Sequence, residues 1–385
     1  MLVEPDWTSV NAVFVNWSGP VLCAFRIVLV AAFVAAVPLA SVPRGEHASR
    51  PSRLSPDETG AILAHGPWPQ PWVADPSNRA SGNPDAIALG RRLFFDAGLS
   101  PSGRLSCSSC HRPERGWTDG RATGIGLAPG TRNTLALFDV RLHRRFGWTG
   151  SADSLWAQSI RPLIDPREMG SNAAHVQRHV GTHADLARAY QRVFARQAVA
   201  VDEEQAMVDT AKALAAYMET IDSARAAFDD LRDALAAGDE GAAARYPPAA
   251  RRGLLLFIGK GGCNACHAGP AFSDGTLRDV GVRLALPPRP IAALLAGRYA
   301  RSGPFSDAPA GGDATVALHG RDGHREGPGR LRVPSLRNLA RTAPYLHNGR
   351  AATLTEAIRR HPGIGGGLAA GEIAELAAFL NTLSE

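Results

Sequence analysis

"SCSSCH", residues 106–111, and "CNACH", residues 263–267, decide how this chain is read. Each holds Cys-x-x-Cys-His, and four of the five cysteines of the chain lie in the two. The approach to each is also alike. "NPDAIALGRRLFFD" (83–96) precedes the first, with Asn83 suited to cap a helix and Pro84 to its first turn. Ala86, Leu89, Gly90, Leu93 and Phe94 fall on one face at helical spacing. "ARRGLLLFIGKGG" (250–262) precedes the second. A helix, a glycine-containing loop and Cys-x-x-Cys-His therefore occur twice, which predicts two related modules in one polypeptide.

The rest of the pattern is helical. "DEEQAMVDTAKALAAYMETI" (202–221) places apolar residues at 207, 211, 214, 218 and 221, the spacing of a structural helix. "TLTEAIRRHP" (353–362) opens with a capping box, Thr353 and Glu356, and ends near His361 because Pro362 disfavours further helix. "EIAELAAFLNTL" (372–383) is a closing amphipathic helix. Strand signals are weak, so the expected fold is mainly α with little β. Residues 302–329, rich in Gly, Asp and His, read as a long surface loop. His175, His179 and His183 have helical spacing, but Gly181 and Thr182 read as breakers, which favours a plain loop over a metal site.

The chain has 385 residues, 20% of them charged and 45% apolar, enough for two globular domains. Its formal charge of +6 comes almost wholly from arginine; lysine occurs only at Lys212 and Lys260. No basic run is interleaved with aromatics, so nucleic acid is not an expected partner. "IVLVAAFVAAVPLA" (27–40) is shorter than a membrane span and fits a signal-peptide core or an uncut anchor. The expected organisation is a signal peptide or anchor over 1–48, a linker or arm over 49–85, an N-terminal haem domain over 86–200 and a C-terminal one over 201–385. The last helix is a candidate to pack back on the first domain. The expected location is the periplasm, with membrane contact only through the N-terminal segment. Cys23 would be lost with a cleaved signal.

Haem is the cofactor that needs this motif. Each thiol can add across one porphyrin vinyl group, and the adjacent histidine then ligates iron. A zinc site would cluster its Cys-x-x-Cys pairs more closely. A thioredoxin-like pair does not need the histidine, and a plain disulfide uses neither it nor the spacing. Two covalent haems are expected, on Cys107, Cys110 and His111 and on Cys263, Cys266 and His267.

Beyond these motifs, four stretches make the chain resemble the bacterial di-haem cytochrome c peroxidase and MauG family. They are "LGRRLFFDAGLSPSGRLSCSSCH", "FGWTGSADSLWAQSIRPLIDPREM", "RRGLLLFIGKGGCNACH" and "RVPSLRNLARTAPYLHNGRAATLTEAI", and the resemblance runs from about Asp85 to the C-terminus. It implies two cytochrome c-like domains. The first haem reacts with hydrogen peroxide, the second relays or stores oxidising equivalents, and a calcium ion lies between. By position, Trp148 matches the tryptophan between the haems, while Gln158 and Glu168 match the distal pair at the peroxide haem. A competing reading makes "DPRE" a helix start, with Asp165 as cap and Glu168 reaching back. Asn133, Thr342 and Pro344 match the calcium ligands, oxygen donors that suit a hard cation.

Two departures bear on mechanism. Peroxidases of the family carry a histidine in the loop after the first haem motif that blocks the iron until reduction. Here that loop reads "RATGIGLAPGTRN" (121–133) and has no histidine. Peroxidases also place a methionine, and MauG-like members a tyrosine, fourteen residues after the histidine of "TAPY-x-H". Here the residue is His361, and all four methionines precede Cys263. Tyr299 and Tyr345 are the weaker alternatives as second axial ligand. The resemblance thus favours the MauG- or MbnH-like branch, which oxidises a partner protein. The alternatives are an ordinary peroxidase fed by a small redox protein, and a non-catalytic di-haem electron carrier.

Overall fold

A computed structural model describes residues 54–279, 291, 294–295, 297–308, 329–361 and 367–385. The proposed signal segment, Cys23, His319, His324 and most of the 302–329 loop lie outside the described residues. Arg53–Glu385 forms one compact unit. Among the described residues it is mostly helical, with one antiparallel strand pair, β1 (Leu277–Asp279) with β2 (Arg330–Arg332).

The helices that build the two modules follow from the sequence signals. Helix α1 (Pro56–Leu63) lies inside the segment read as a linker or arm, with a complete capping box between Ser55 and Glu58. Helix α2 (Pro84–Phe94) is capped by Asn83, whose side chain accepts from the backbone of Asp85 and Ala86. Its buried face is Ala86, Leu89, Gly90, Leu93 and Phe94, the face expected from spacing. Helix α3 is the short turn Cys107–Cys110. Then come α4 (Leu155–Ile164), α5 (Ala173–Thr182), α6 (Ala184–Phe194) and α7 (Glu203–Met218). The second half holds α8 (Ala227–Ala237), α9 (Glu240–Ala243), α10 (Pro248–Ile258), α11 (Leu354–Arg360) and α12 (Ala370–Asn381).

Two hydrophobic cores result. The first gathers residues of α2, α4, α5, α6 and α7, together with Leu295 and Tyr299. The second gathers Ile62 of α1 with residues of α8, α10, α11 and α12. Helix α7, placed by the sequence at the start of the C-terminal half, contributes its buried residues to the first core. The buried residues of α12, the closing helix, belong to the second. The physical reason is a shared helix crossing. In α2, a Cβ on Gly90 would lie 1.9 Å from the Ala213 carbonyl oxygen of α7. In α10, a Cβ on Gly253 would lie 1.9 Å from the Glu375 carbonyl oxygen of α12. Each module is thus closed by a helix that crosses, at a glycine, the helix leading into its Cys-x-x-Cys-His motif.

The arm ties the cores together. Trp68, 3% exposed, donates its indole N–H to the Ser223 carbonyl, and the Arg337 guanidinium lies 3.6 Å from its ring centroid. Arg337 is itself buried in an ion pair with Asp229 at 2.8 Å. A lone buried charge at either position would be costly, so this pair fixes α8 against the 330s segment. Ser223 makes a second joint: its hydroxyl donates to Asp139 and accepts from Asn338 Nδ2 at 2.9 Å. Asp139 and Asn338 are both buried and left-handed, one from each half of the chain.

Candidate haem sites and the joint between them

Both Cys-x-x-Cys-His motifs fold into the same local device. After the first, the His111 backbone N–H closes on the Cys107 carbonyl, and Nδ1 hydrogen-bonds the Trp117 carbonyl at 3.1 Å. After the second, His267 closes on Cys263, and its Nδ1 meets the Phe272 carbonyl at 3.0 Å. Trp117 and Phe272 are both left-handed, with φ of 60° and 51°. A non-glycine residue rarely adopts that conformation, and here it turns the carbonyl toward the ring. An Nδ1–H donated to a carbonyl leaves Nε2 as a lone pair, the ligating state of imidazole. Burial lowers the pKa of both histidines, His267 to about 4, against the opposing pull of those carbonyls. Burial thus disfavours the charged form of both rings.

None of the four motif cysteines is joined in a disulfide. Burial pushes Cys107 up to about 12 and Cys110 and Cys263 up to about 11.

The second motif opens on a cavity of about 550 Å³, a size usual for a cofactor. Cys263, Cys266, His267, His361, Tyr345 and Trp148 all contribute to its wall. Helix α11 begins at Thr353, which caps the Glu356 N–H at 3.1 Å; the return bond of Glu356 reaches the Ala352 N–H, one residue before the cap. The helix ends at Arg360 and presents His361 as its C-cap. The rings of His267 and His361 stand 6.2 Å apart between centroids, at 65°. Two metal–imidazole bonds of about 2 Å and two ring radii of about 1.2 Å span about 6.4 Å. The pair therefore has the spacing of two axial ligands with one metal between them. Tyr345 also lines the cavity, but its hydroxyl donates to the Leu339 carbonyl at 3.0 Å. Tyr299 lies in the first core and donates to Glu204 at 2.7 Å.

Charge fits a porphyrin as well. Five arginines line the cavity, Arg278, Arg332, Arg337, Arg350 and Arg360, and no carboxylate does among the described residues. Arg332 is buried, and that burial pulls its pKa down to about 10. Its guanidinium meets the backbone carbonyls of Gly147 and Val333. Arg278, Arg337 and Arg360 are paired with Asp274, Asp229 and Glu356, so Arg332 and Arg350 are the cations of this wall that suit an anionic group such as a haem propionate.

Trp148, Asn133, Thr342 and Pro344 share that wall. The Trp148 indole N–H donates to the Asn133 carbonyl at 2.7 Å, and the Asn133 N–H donates to the His347 carbonyl at 2.9 Å. The Trp148 and His347 rings meet edge to face at 6.3 Å. Asn133 Nδ2 is spent on the Arg121 carbonyl at 2.8 Å, which leaves Oδ1 as its acceptor. Among the described residues no group of three or more His, Cys, Asp or Glu could hold a metal ion. A cation at Asn133 would rest on neutral oxygens and water. His175, His179 and His183 do lie in one column, because α5 runs through Gly181 to Thr182 and breaks only after them. His179 pairs with Asp96 at 2.9 Å.

At the first motif, Cys110 is packed beside the histidine-free loop, its Sγ 3.8 Å from the Ile125 carbonyl. That loop is fastened to the Glu168 turn: the N–H groups of Leu127 and Ala128 donate to the carbonyls of Glu168 and Arg167. After burial, the charges of Asp119 and Glu168 are the next causes that raise Cys110, which places Glu168 in electrostatic reach of the motif. Glu168 does not reach back to cap a helix. Residues 166–169 form a single turn, and the carboxylate pairs with Arg161 Nη2 at 2.7 Å. Gln158 lies on α4 one turn before Arg161, and its Oε1 is buried with no hydrogen-bond partner. An orphaned buried acceptor is costly, so it marks a position where a donor is missing.

Sequence reading left His347 without a role and did not single out Arg161, Trp117 or Phe272. One signal was available for His347. "FGWTGSA" (146–152) and "YLHNGRA" (345–351) close the same bridge, Phe146 with Ala152 and Tyr345 with Ala351, so His347 is the counterpart of Trp148.

Comparison with known proteins places these features in a family. Residues 84–236 match the family model for di-haem cytochrome c peroxidase. The chain is 34% identical over 280 residues to the methylamine utilization protein MauG of Methylorubrum extorquens, covering 72% of this chain and 68% of that one. It is 31% identical over 324 residues to the cytochrome-c peroxidase IdrP1 of Denitromonas iodatirespirans, covering 78% and 81%. Among solved structures it resembles a MauG-like protein associated with microbial copper homeostasis, with a TM-score of 0.59, 27% identity, and coverage of 83% of this chain and 95% of that one.

Proposed function

This chain belongs to the di-haem cytochrome c peroxidase and MauG family of oxidoreductases, and within it we propose a MauG-like enzyme that spends peroxide to oxidise a partner protein. As a member it uses two haems, hydrogen peroxide and a redox partner. Covalent attachment is proposed at Cys107 and Cys110 and at Cys263 and Cys266, with His111 and His267 as proximal ligands. A calcium ion held by Asn133 and the carbonyls of Thr342 and Pro344 belongs to the same reading. So do export to the periplasm and a two-domain division in which α7 closes the first domain.

The haems, when bound, supply the iron at which peroxide is reduced and a second centre that shares the oxidising equivalents. The chain does the rest. Glu168, held by Arg161, takes a proton from one peroxide oxygen and delivers it to the other, as a positioned carboxylate can. Gln158 accepts a hydrogen bond through its orphaned Oε1 and so orients the reacting molecule. Trp148, fixed by Asn133 and packed on His347, sets an aromatic ring between the two sites. His361 would hold the second haem through nitrogen instead of sulfur, which would lower its potential relative to a His–Met pair and favour storage of an oxidising equivalent.

The observation that carries this reading is the 6.2 Å spacing of His267 and His361 across an arginine-lined cavity. Beside it, the loop after His111 offers no histidine to close the first site. Low-temperature EPR of the resting ferric protein tests both. We expect one high-spin five-coordinate haem and one low-spin six-coordinate haem without prior reduction. Two low-spin signals would show that the first site is closed.

A further inference from the structure

We propose that Arg161 is a positioning residue for peroxide activation: its guanidinium aims and holds the Glu168 carboxylate on the distal side of the N-terminal site. This rests on the acid–base role proposed above for Glu168.

Glu168 sits on a turn and not in a helix, with a side chain 38% exposed. Its backbone is pinned, since its N–H donates to the Asp165 carbonyl and its carbonyl accepts from Leu127. Its carboxylate is steered by Arg161, whose Nη2 stands 2.7 Å from Oε1. An exposed carboxylate on a turn samples several rotamers, and proton transfer needs one of them. Arg161 can select it because its own stem is on a rigid element. It lies in α4, the helix that carries Gln158 one turn earlier, and α4 is anchored by the buried residues Trp156, Ile160 and Leu163. Gln158 and the guanidinium that holds Glu168 are thus set by a single helix.

Two further groups bear on the pair. Asp165 Oδ2 lies 3.7 Å from the same Nη2, so it shares the cation at longer range. Arg132 is partly buried and feels the charge of Arg161. The charged groups around the turn are therefore the guanidiniums of Arg161, Arg132 and Arg167, the last donating to the Pro129 carbonyl, and the carboxylates of Asp165 and Glu168. Only Glu168 is also in electrostatic reach of Cys110, where the porphyrin would be attached. A surface ion pair of this exposure contributes little to stability. Its expected value lies in geometry.

The test is a double-mutant cycle on the intact di-haem protein with Arg161→Gln, Arg161→Lys and Glu168→Gln. Stopped-flow absorbance would follow the reaction of the ferric protein with peroxide. A second readout needs no turnover: association of HCN, a weak acid that must lose its proton as it binds ferric iron. Glu168→Gln should slow the peroxide reaction by about 10²–10⁴-fold. Arg161→Gln should slow both reactions by about 10–100-fold, and Arg161→Lys should recover most of the loss. Adding Arg161→Gln to Glu168→Gln should cost less than about threefold, because residues acting as one unit are not additive. Haem content, the resting spectrum and the thermal midpoint should match the parent in all variants. A normal rate in Arg161→Gln, with a slow Glu168→Gln, would overturn this proposal and leave the role of Glu168 intact. An unchanged rate in Glu168→Gln would overturn that role, and this proposal with it. A full Arg161 effect surviving in the Glu168→Gln background would show that Arg161 does not act through Glu168.

Discussion

The two modules share a frame and differ at one end of one helix. Each crosses the helix before its motif with its closing helix at a glycine, each folds Cys-x-x-Cys-His the same way, and each turns a left-handed aromatic carbonyl onto the histidine. Helices α4 and α11 are also counterparts: each follows one of the two like turns, 146–152 and 345–351, and they are capped by Ser154 and Thr353. The eighth residue after the cap is His361 in α11 and Pro162 in α4. A histidine at that position stands opposite His267 with the spacing of an axial pair. A proline offers no ligand, and the chain beyond it turns to bring in Glu168. The comparison teaches that, on the proposed reading, one frame yields a closed iron for electron storage or an open iron for peroxide. The choice rests on the position after the helix cap and, at the first site, on a loop over 121–133 that carries no histidine.

The largest expected effect breaks that distinction directly. His361→Ala should convert the C-terminal haem from low spin to high spin and leave the N-terminal haem untouched, as read by EPR and by the ferric absorption spectrum. His361→Met should restore six-coordination with a higher midpoint, because thioether ligation favours ferrous iron. Peroxide would still react at the first site, while oxidation of the partner protein falls. If alanine leaves the low-spin signal in place, another side chain ligates, and the cavity-lining Tyr345 becomes the first candidate.

The second effect tests what the modules share. Gly90→Ala and Gly253→Ala each set a methyl group 1.9 Å from a carbonyl oxygen of the crossing helix. Backbone cannot yield as a flexible side chain can, so each should cost about 3 kcal/mol. Thermal melts should show a lowered midpoint for both. If one variant is neutral, the crossing in that module is looser than its counterpart and the frames are not equivalent.

Much of this was legible in the chain. The buried face of α2, the apolar positions of α7, the end of α11 at His361 and the scarcity of strand all follow from periodicity and capping, which are local. What was not legible is non-local. Nothing in "DEEQAMVDTAKALAAYMETI" says that its glycine partner is Gly90, so the helix could not be assigned to the first core from pattern alone. Composition rich in Pro and Ser hid the order of the arm, because Trp68 is buried by Arg337, 269 residues away (337 minus 68). At the sites, residue types and spacing exposed the cysteines and histidines. Arg161 was invisible because an arginine near a carboxylate in sequence is usually solvated; only the turn at 166–169 brings Glu168 back to it.

The smallest effect sharpens the comparison at the joint. Glu219, at the end of α7, is 4% exposed and accepts the Ser81 hydroxyl at 2.6 Å. Burial raises its pKa to about 7, with Asp75 adding to the rise and the Ser81 bond, Arg141 and Arg301 opposing it. The sign follows from linkage. A carboxyl whose native pKa is raised binds its proton more tightly when folded, so its contribution to stability is complete below the ordinary carboxyl range. That contribution is lost as pH rises through about 7, and above it the buried charge remains as a constant cost. The scale is on the order of 2 kcal/mol. Glu219→Gln keeps the hydrogen bond to Ser81 within reach and removes the charge. It should therefore raise the thermal midpoint at pH 8, change little at pH 4.5, and flatten the slope between them. No such carboxyl closes the second module, where α12 ends at Asn381 and Thr382. If the slope between pH 5 and 8 survives in Glu219→Gln, the pH-sensitive group is elsewhere. Asp139, raised to about 6 by burial at the Ser223 joint, would be the next position to neutralise.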